Sequence, residues 1–382
     1  MENLKNLFLL DPEVIYLNHG SFGATPRTVF EAYQAWQMKL ERQPVQFLAS
    51  DLDSLLFEAR EKLAIYLKTS GKNLLFIPNA TFGVNMIARS INLRPGDEIL
   101  TTDHEYGACD ITWRFICQKT GAKYIPMHVE LPAEDKNTII EAIASGITSR
   151  TRILFISHIS SPTSIIFPVE ALIRIARENN IITLIDGAHA PGQIGFDLDM
   201  LEADFYIGNC HKWLMAPKGS AFLYARTERQ ATLEPLIVSW GWDDVSQQDD
   251  NQSLLQKFSW MGTHDPSSYL AIPAAIEFHE IHHWPRVRLS CHALAYEAME
   301  EICYFTGLVP VYTQDRYFAQ MVTIPLPHIQ EPKALKNQLL EGYKIEIPII
   351  EWSGKQYIRL SVQGYNSAED IEVLCKALRK LL

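Results

Sequence analysis

Between Leu74 and Ala225 the chain repeats one rhythm: a short apolar run, a turn, then a segment whose apolar residues recur at helical spacing. The runs fall near residues 74–78, 98–102, 123–129, 152–158, 181–185, 203–207 and 220–225, with helical segments at 80–91, 107–119, 137–146 and 168–179. Strands apolar on both faces must be covered on both faces. The pattern therefore predicts an α/β domain on a mostly parallel seven-stranded sheet flanked by helices. In such sheets ligands bind beyond the carboxyl ends of the strands.

Applied residue by residue, that rule gathers the polar groups on one rim. Asn79, Ala80 and Thr81 follow the first run, Asp103 to Tyr106 the second, and His158, Ser160 and Ser161 the fourth. The fifth ends in Asp186-Gly187-Ala188-His189, and the sixth leads to Asn209, His211 and Lys212. Taken alone, a lysine beside a tryptophan reads as a surface side chain with a buried stem. Here Lys212 is followed by Trp213, Leu214 and Met215, and among apolar groups an ammonium is disfavoured, which leaves a nucleophilic amine.

Asp186 closes the strand IITLID, one strand-helix-strand crossover before Lys212. A carboxylate there is costly to bury without a positive partner. Asn79-Ala80-Thr81 by itself is a helix cap, but a helix start also offers N–H groups to an anion. Amine, carboxylate and helix start together are what pyridoxal phosphate needs. The lysine forms the Schiff base, the aspartate keeps the ring nitrogen protonated, and the helix terminus holds the phosphate.

Outside the repeating segment the signals are weaker. YLNHGSFGATPR from Tyr16 reads as a polar turn before a helix, with Thr25 as N-cap and Pro26 at the first helical position. Asn18, His19 and Ser21 are either turn formers or groups aimed at a ligand. A helical pattern covers Arg27 to Tyr66, interrupted near Pro44. Residues 234–268 are irregular and rich in Trp, Asp, Gln and Ser, which suits a loop region or subunit contact. Helices at 269–283 and 286–306, short strands at 309–313, 318–324, 344–350 and 356–361, and a helix from 367 complete a smaller α+β domain. The division is 15–265 for the large domain, with 1–14 and 266–382 forming the small one.

A net charge of -11 argues against nucleic acid as a partner. The six cysteines show no C-x-x-C pair, in a chain too large to need disulfide staples, so they are read as reduced. Neither a signal peptide nor a run of membrane-spanning length is present, which places the chain in the cytoplasm.

Residues 74–226, with 359–364 added, resemble the class V aminotransferases among the fold type I pyridoxal-phosphate enzymes. The markers are NATFGVN (79–85), DHEYGA (103–108), DGAHAPG (186–192), and HKW followed by APKG (211–219). LNHGSFGATPR and ERQPVQFL (41–48) are most similar to the isopenicillin N epimerase branch. The resemblance implies that Lys212 carries the Schiff base and Asp186 partners the pyridine nitrogen. Ala80 and Thr81 would bind the phosphate with His211 and Asn209; His104 would stack on the ring and His189 would sit near its hydroxyl. Arg359 would grip the substrate carboxylate with a bidentate fork, with Asn18 as a second substrate contact. Thr263 would reach the phosphate of a neighbouring subunit, which implies a homodimer.

Two departures bear on activity. Asn209 stands where related cysteine desulfurases carry a serine, and Leu340 to Trp352 lacks the cysteine those enzymes need as a nucleophile. The expected function is therefore chemistry at the α-carbon of an amino acid, as in the epimerase branch, with carbon-sulfur lyase and transaminase readings open. Epimerisation needs acid-base groups on both faces of the α-carbon, and the motifs name only Lys212. Two readings come from other classes. One is a pyridoxal-phosphate-binding protein without catalysis, which would not need Arg359. The other is a zinc metallopeptidase through His279, Glu280 and His283, an H-E-x-x-H match cut short by Trp284-Pro285.

Overall fold

The structure, a computed structural model, describes residues 4–132, 135–242, 250–258 and 260–382. The first three residues of the small-domain segment and positions 243–249 and 259 of the irregular stretch thus lie outside the described residues. Strands in chain order are β1 (Ile15–Tyr16), β2 (Leu74–Ile77), β3 (Glu98–Thr102), β4 (Lys123–Met127), β5 (Thr151–Ser157), β6 (Ile182–Asp186), β7 (Phe205–Asn209) and β8 (Ala221–Ala225). β9 (Met321–Pro325), β10 (Ile345–Glu346), β11 (Ile349–Trp352) and β12 (Lys355–Ser361) follow.

The large sheet has seven strands in the order β2-β8-β7-β6-β5-β3-β4. From β7 to β4 all neighbours run parallel, and β8 pairs antiparallel with both β7 and β2. Every residue of β3, β7 and β8 is buried, as strands covered on both faces require. Helices at Ala80–Ser90, Gly107–Thr120, Lys136–Ala144 and Val169–Glu178 cover it. Register sets the rim: Ser157 lies opposite Asp186, Asp186 opposite Ile207, and Asn209 opposite Ala221. Three carboxyl ends from the middle of the sheet therefore open on one place.

The smaller sheet is antiparallel, in the order β11-β12-β9, with Arg359 of β12 opposite Thr323 of β9. The expected strand at 344–350 is split, because Pro348 has no N–H to give a ladder; instead its carbonyl takes the Arg359 N–H at 3.1 Å. The strand expected at 309–313 is absent. There the Tyr312 side chain, not its backbone, meets β9, accepting the Thr323 N–H at 3.0 Å. At the N-terminus the helix begins at Arg27 after Pro26, and the Thr25 hydroxyl bonds to the Ala216 carbonyl instead of capping. The break at Pro44 separates helices Arg27–Arg42 and Leu52–Leu67.

Two contacts cross the division drawn at 15 and 265. β1 pairs in parallel with β10 as a separate two-stranded sheet, so residues 15–16 pair with a strand from beyond residue 265. Leu270, from the other side of that division, packs in one apolar cluster with Leu40, Leu52 and Ala59 of the N-terminal helices.

Candidate active site

A cavity of about 700 Å³ opens at the carboxyl ends of β5, β6 and β7 and is closed from the other side by β12 and the turn after β1. Of the residues picked from the sequence, Ala80, Thr81, Asp186, His189, Asn209, His211, Lys212 and Arg359 line it.

At its centre stands Lys212, on the turn that follows β7. The backbone of that turn is gripped from three directions. His19 Nε2 lies 3.1 Å from the Lys212 carbonyl, and the other nitrogen of the His19 ring is 2.9 Å from Tyr365 Oη. Gly23 (φ 70°) and Gly192 (φ 89°) adopt left-handed backbone, and a Cβ on them would fall 2.0 Å from the His211 carbonyl and 2.1 Å from the Trp213 carbonyl. Glycine is required at both. The Lys212 amine lies 3.0 Å from His189 Nε2. Burial, then the charge of Arg359, lowers its pKa to about 8, against the opposing pull of Asp186.

Asp186 is buried at the end of β6. One carboxylate oxygen accepts the Ala188 N–H at 2.9 Å and the other the Cys109 thiol at 3.7 Å, and neither partner is cationic. Burial raises its pKa, while Ala188 and Lys212 pull it down. Such a carboxyl is ready for a protonated ring nitrogen.

The far wall carries Arg359. Its guanidinium donates to the Ser161 carbonyl at 2.7 Å, the Ser161 hydroxyl at 3.1 Å and the Ser21 hydroxyl at 3.0 Å. Its Nε is buried without a partner. A buried cation held only by neutral groups is a seat for an anion.

The phosphate end shows a division of labour. Asn79 caps the helix Ala80–Ser90 by accepting the Phe82 N–H at 2.9 Å. The Ala80 N–H donates to Asn209 Oδ1 at 2.9 Å, so Asn209 orients the helix start and takes up a donor expected for the phosphate. Thr81 lines the cavity on the first turn, and His211 does so with Nδ1 3.0 Å from the Ser220 carbonyl.

Two expectations are corrected. His104 is fully buried outside the cavity, its ring nitrogens 2.7 Å from Thr163 Oγ1 and 2.7 Å from the Val129 carbonyl. Tyr106, two residues on, lines the cavity instead. Asn18 stands one step behind the wall, accepting from the Ser21 hydroxyl that in turn meets Arg359. Thr263 is exposed and outside the cavity of its own chain. The H-E-x-x-H match likewise forms no ligand set. The helix ends at Ile281, His283 is left-handed (φ 48°), and His279 stacks on Trp284. Among the described residues, no three His, Cys, Asp or Glu side chains could hold a metal ion together. Ser161 and Tyr106 follow strands of the rim and Ser21 lies in the N-terminal turn, but the bonds of the two serines to Arg359 were not legible in the sequence.

Burial holds several histidines neutral: His19 and His279 are lowered to about 3, and His104, His158 and His211 to about 4. Unfolded, each takes a proton near pH 6.5, so between those values the unfolded chain binds more protons. Their contribution is complete above pH 6.5 and lost as pH falls toward 4. Glu105, raised to about 8 chiefly by burial, acts oppositely, losing its contribution as pH rises from 4.5. With His189 also lowered, the histidines outnumber the raised carboxyls Glu105, Asp186 and Asp110. The thermal unfolding midpoint is expected to fall steadily from pH 6.5 to 4.5, and a flat profile there would contradict these assignments.

A crossover-connected parallel sheet, an amine of lowered pKa facing a buried carboxyl, and a helix start on the same rim define a pyridoxal-phosphate enzyme. The comparisons agree. The profile of the family described as aminotransferase class-V matches residues 15–374, and the chain belongs to that family. An isopenicillin N epimerase of Amycolatopsis lactamdurans is 33% identical over 99% of this chain and 98% of its own length. A probable L-cysteine desulfhydrase of Arabidopsis thaliana is 25% identical over 97% of this chain and 84% of its own. Among solved structures, a cysteine desulfurase of Thermococcus onnurineus NA1 superposes with a TM-score of 0.84 at 22% identity, covering 100% of this chain and 98% of that one.

Proposed function

We propose that this enzyme epimerises the α-carbon of an amino-acid substrate, with pyridoxal phosphate held between Lys212 and Asp186 and the substrate carboxylate held by Arg359. The observation that carries the reading is one cavity in which Asp186, Lys212 and Arg359 are each bonded only to neutral groups. Pyridoxal phosphate, once bound, supplies an electron sink for the charge left when a bond to the α-carbon breaks. The chain supplies the rest. With a pKa of about 8, the Lys212 amine can take and return a proton near neutral pH. Asp186 keeps a proton on the ring nitrogen, and the Arg359 fork fixes the carboxylate. Thr81 and His211 are the phosphate contacts, and Tyr106, in place of His104, is an aromatic side chain available to the ring.

The epimerase reading rests on the 33% identical relative. Carbon-sulfur cleavage is the second reading, favoured by the desulfhydrase relative. Where desulfurases carry their cysteine, this chain has the hairpin of β11 and β12 with Pro348 and Ile350 on the cavity wall. The working unit of this proposal is a homodimer, in which the exposed Thr263 of one copy reaches the phosphate end of the other. No helix among the described residues is long and apolar enough to cross a membrane. Six free cysteines suit the reducing cytoplasm.

The test is a visible absorption spectrum of the purified protein, borohydride reduction and identification of the labelled peptide, followed by a panel of amino acids in heavy water. The expected outcome is a yellow protein labelled at Lys212 that exchanges the α-hydrogen and racemises a substrate. Label on another lysine would overturn the site. Sulfide release without racemisation would replace the epimerase by the lyase.

A further inference from the structure

We propose that Trp213 is a positioning residue: its indole N–H fixes the tautomer of His189 and, through it, keeps the amine of Lys212 uncharged. The inference rests on the reading of Lys212 as the lysine that takes up pyridoxal phosphate.

The argument is one of donors and acceptors. Trp213 is fully buried, and its Nε1 lies 3.2 Å from His189 Nδ1. Indole nitrogen can only donate, so Nδ1 must accept. His189 is buried, and burial first, then Lys212, Arg359, His211 and His19, hold its pKa well below the ordinary value. A neutral imidazole has a single N–H, which therefore sits on Nε2. That nitrogen faces Lys212 Nζ at 3.0 Å. An N–H can bond there only to a lone pair, and an ammonium would set proton against proton.

The groups facing Lys212 from the surrounding elements are Arg359 on β12, Asp186 on β6 and Cys109 on the helix Gly107–Thr120. Arg359 works in the same direction as Trp213, and Asp186 works against both. Trp213 is itself held in place. Its ring packs against His19, with centroids 4.9 Å apart, and Gly192 leaves room for its carbonyl. The consequence is chemical: only an uncharged amine can add to the aldehyde of pyridoxal phosphate, the condensation then releasing water. Trp213 thus prepares the lysine beside it without touching the cofactor.

The decisive experiment is nitrogen NMR of the histidine-labelled full-length holoenzyme, with the His189 signals assigned by their loss in His189→Asn. Wild-type enzyme is expected to show Nε2 protonated and Nδ1 bare. Trp213→Phe, which keeps a large apolar ring and removes the donor, should shift the proton toward Nδ1. In parallel, uptake of pyridoxal phosphate by the full chain stripped of cofactor is followed against pH. Its midpoint in Trp213→Phe should rise by about one pH unit, a roughly tenfold slower uptake on the acid side. A packing role alone would leave that midpoint unmoved. Protonation at Nδ1 in the wild-type enzyme, or an unmoved midpoint in a folded variant, overturns the proposal. The wild-type spectrum decides the tautomer even if the variant fails to fold. Failure of the underlying reading would show separately, as borohydride label on a lysine other than Lys212.

Discussion

Lys212→Ala is expected to lower turnover by about 10³-fold or more, because one side chain both holds the cofactor and moves the proton. The fold should survive. The amine is already disfavoured as an ammonium, its pKa lowered to about 8, so truncation removes a group that burial does not favour. What it leaves is space in an existing cavity, and the turn around it stays gripped through backbone contacts from His19, Gly23 and Gly192. A thermal midpoint within a few degrees of wild type, together with loss of borohydride labelling, would separate a chemical defect from a structural one. Residual activity within tenfold of wild type would refute the role given to Lys212.

The second large effect is expected at Asp186. Asp186→Asn keeps the shape of the side chain and can still accept the Ala188 N–H, but it cannot carry the charge that holds a proton on the ring nitrogen. A loss on the order of 10²–10³-fold in kcat with little change in KM is expected, the scale of removing one electrostatic contact to a developing charge. Stability should move the other way. Asp186 is a buried carboxylate bonded to a backbone N–H and a thiol, and a neutral amide in that place carries no comparable desolvation cost. The cofactor-free variant is therefore expected to unfold at the same temperature as wild type or higher. A kcat within fivefold of wild type would remove Asp186 from the mechanism.

How far the sequence reached depends on what kind of contact each residue makes. The sheet was legible because parallel strands are buried on both faces, and runs such as AFLYA at 221–225 cannot be accommodated otherwise. Lys212 and Asp186 were legible for the same reason, since both sit where a strand ends. His104 was misread because facing in a turn is set by distant partners. Thr163 and Val129, which hold its ring, lie 59 and 25 residues away. Asn209 was placed correctly at a strand end, yet its carbonyl oxygen went to the Ala80 N–H, 129 residues distant. The H-E-x-x-H match failed because spacing on paper presumes an unbroken helix, and this one stops at Ile281.

The Arg359 wall also carries a consequence for biosynthesis. Ser21 and Arg359 are 338 positions apart, and His19 meets Tyr365 across 346. Contacts of such separation form late, after the entropy of closing so long a loop has been met. On the ribosome, the large sheet can assemble while the strand bearing Arg359 has yet to be made. The substrate end can take shape only once the chain has been synthesised through Tyr365, so competence for catalysis follows the assembly of the large sheet.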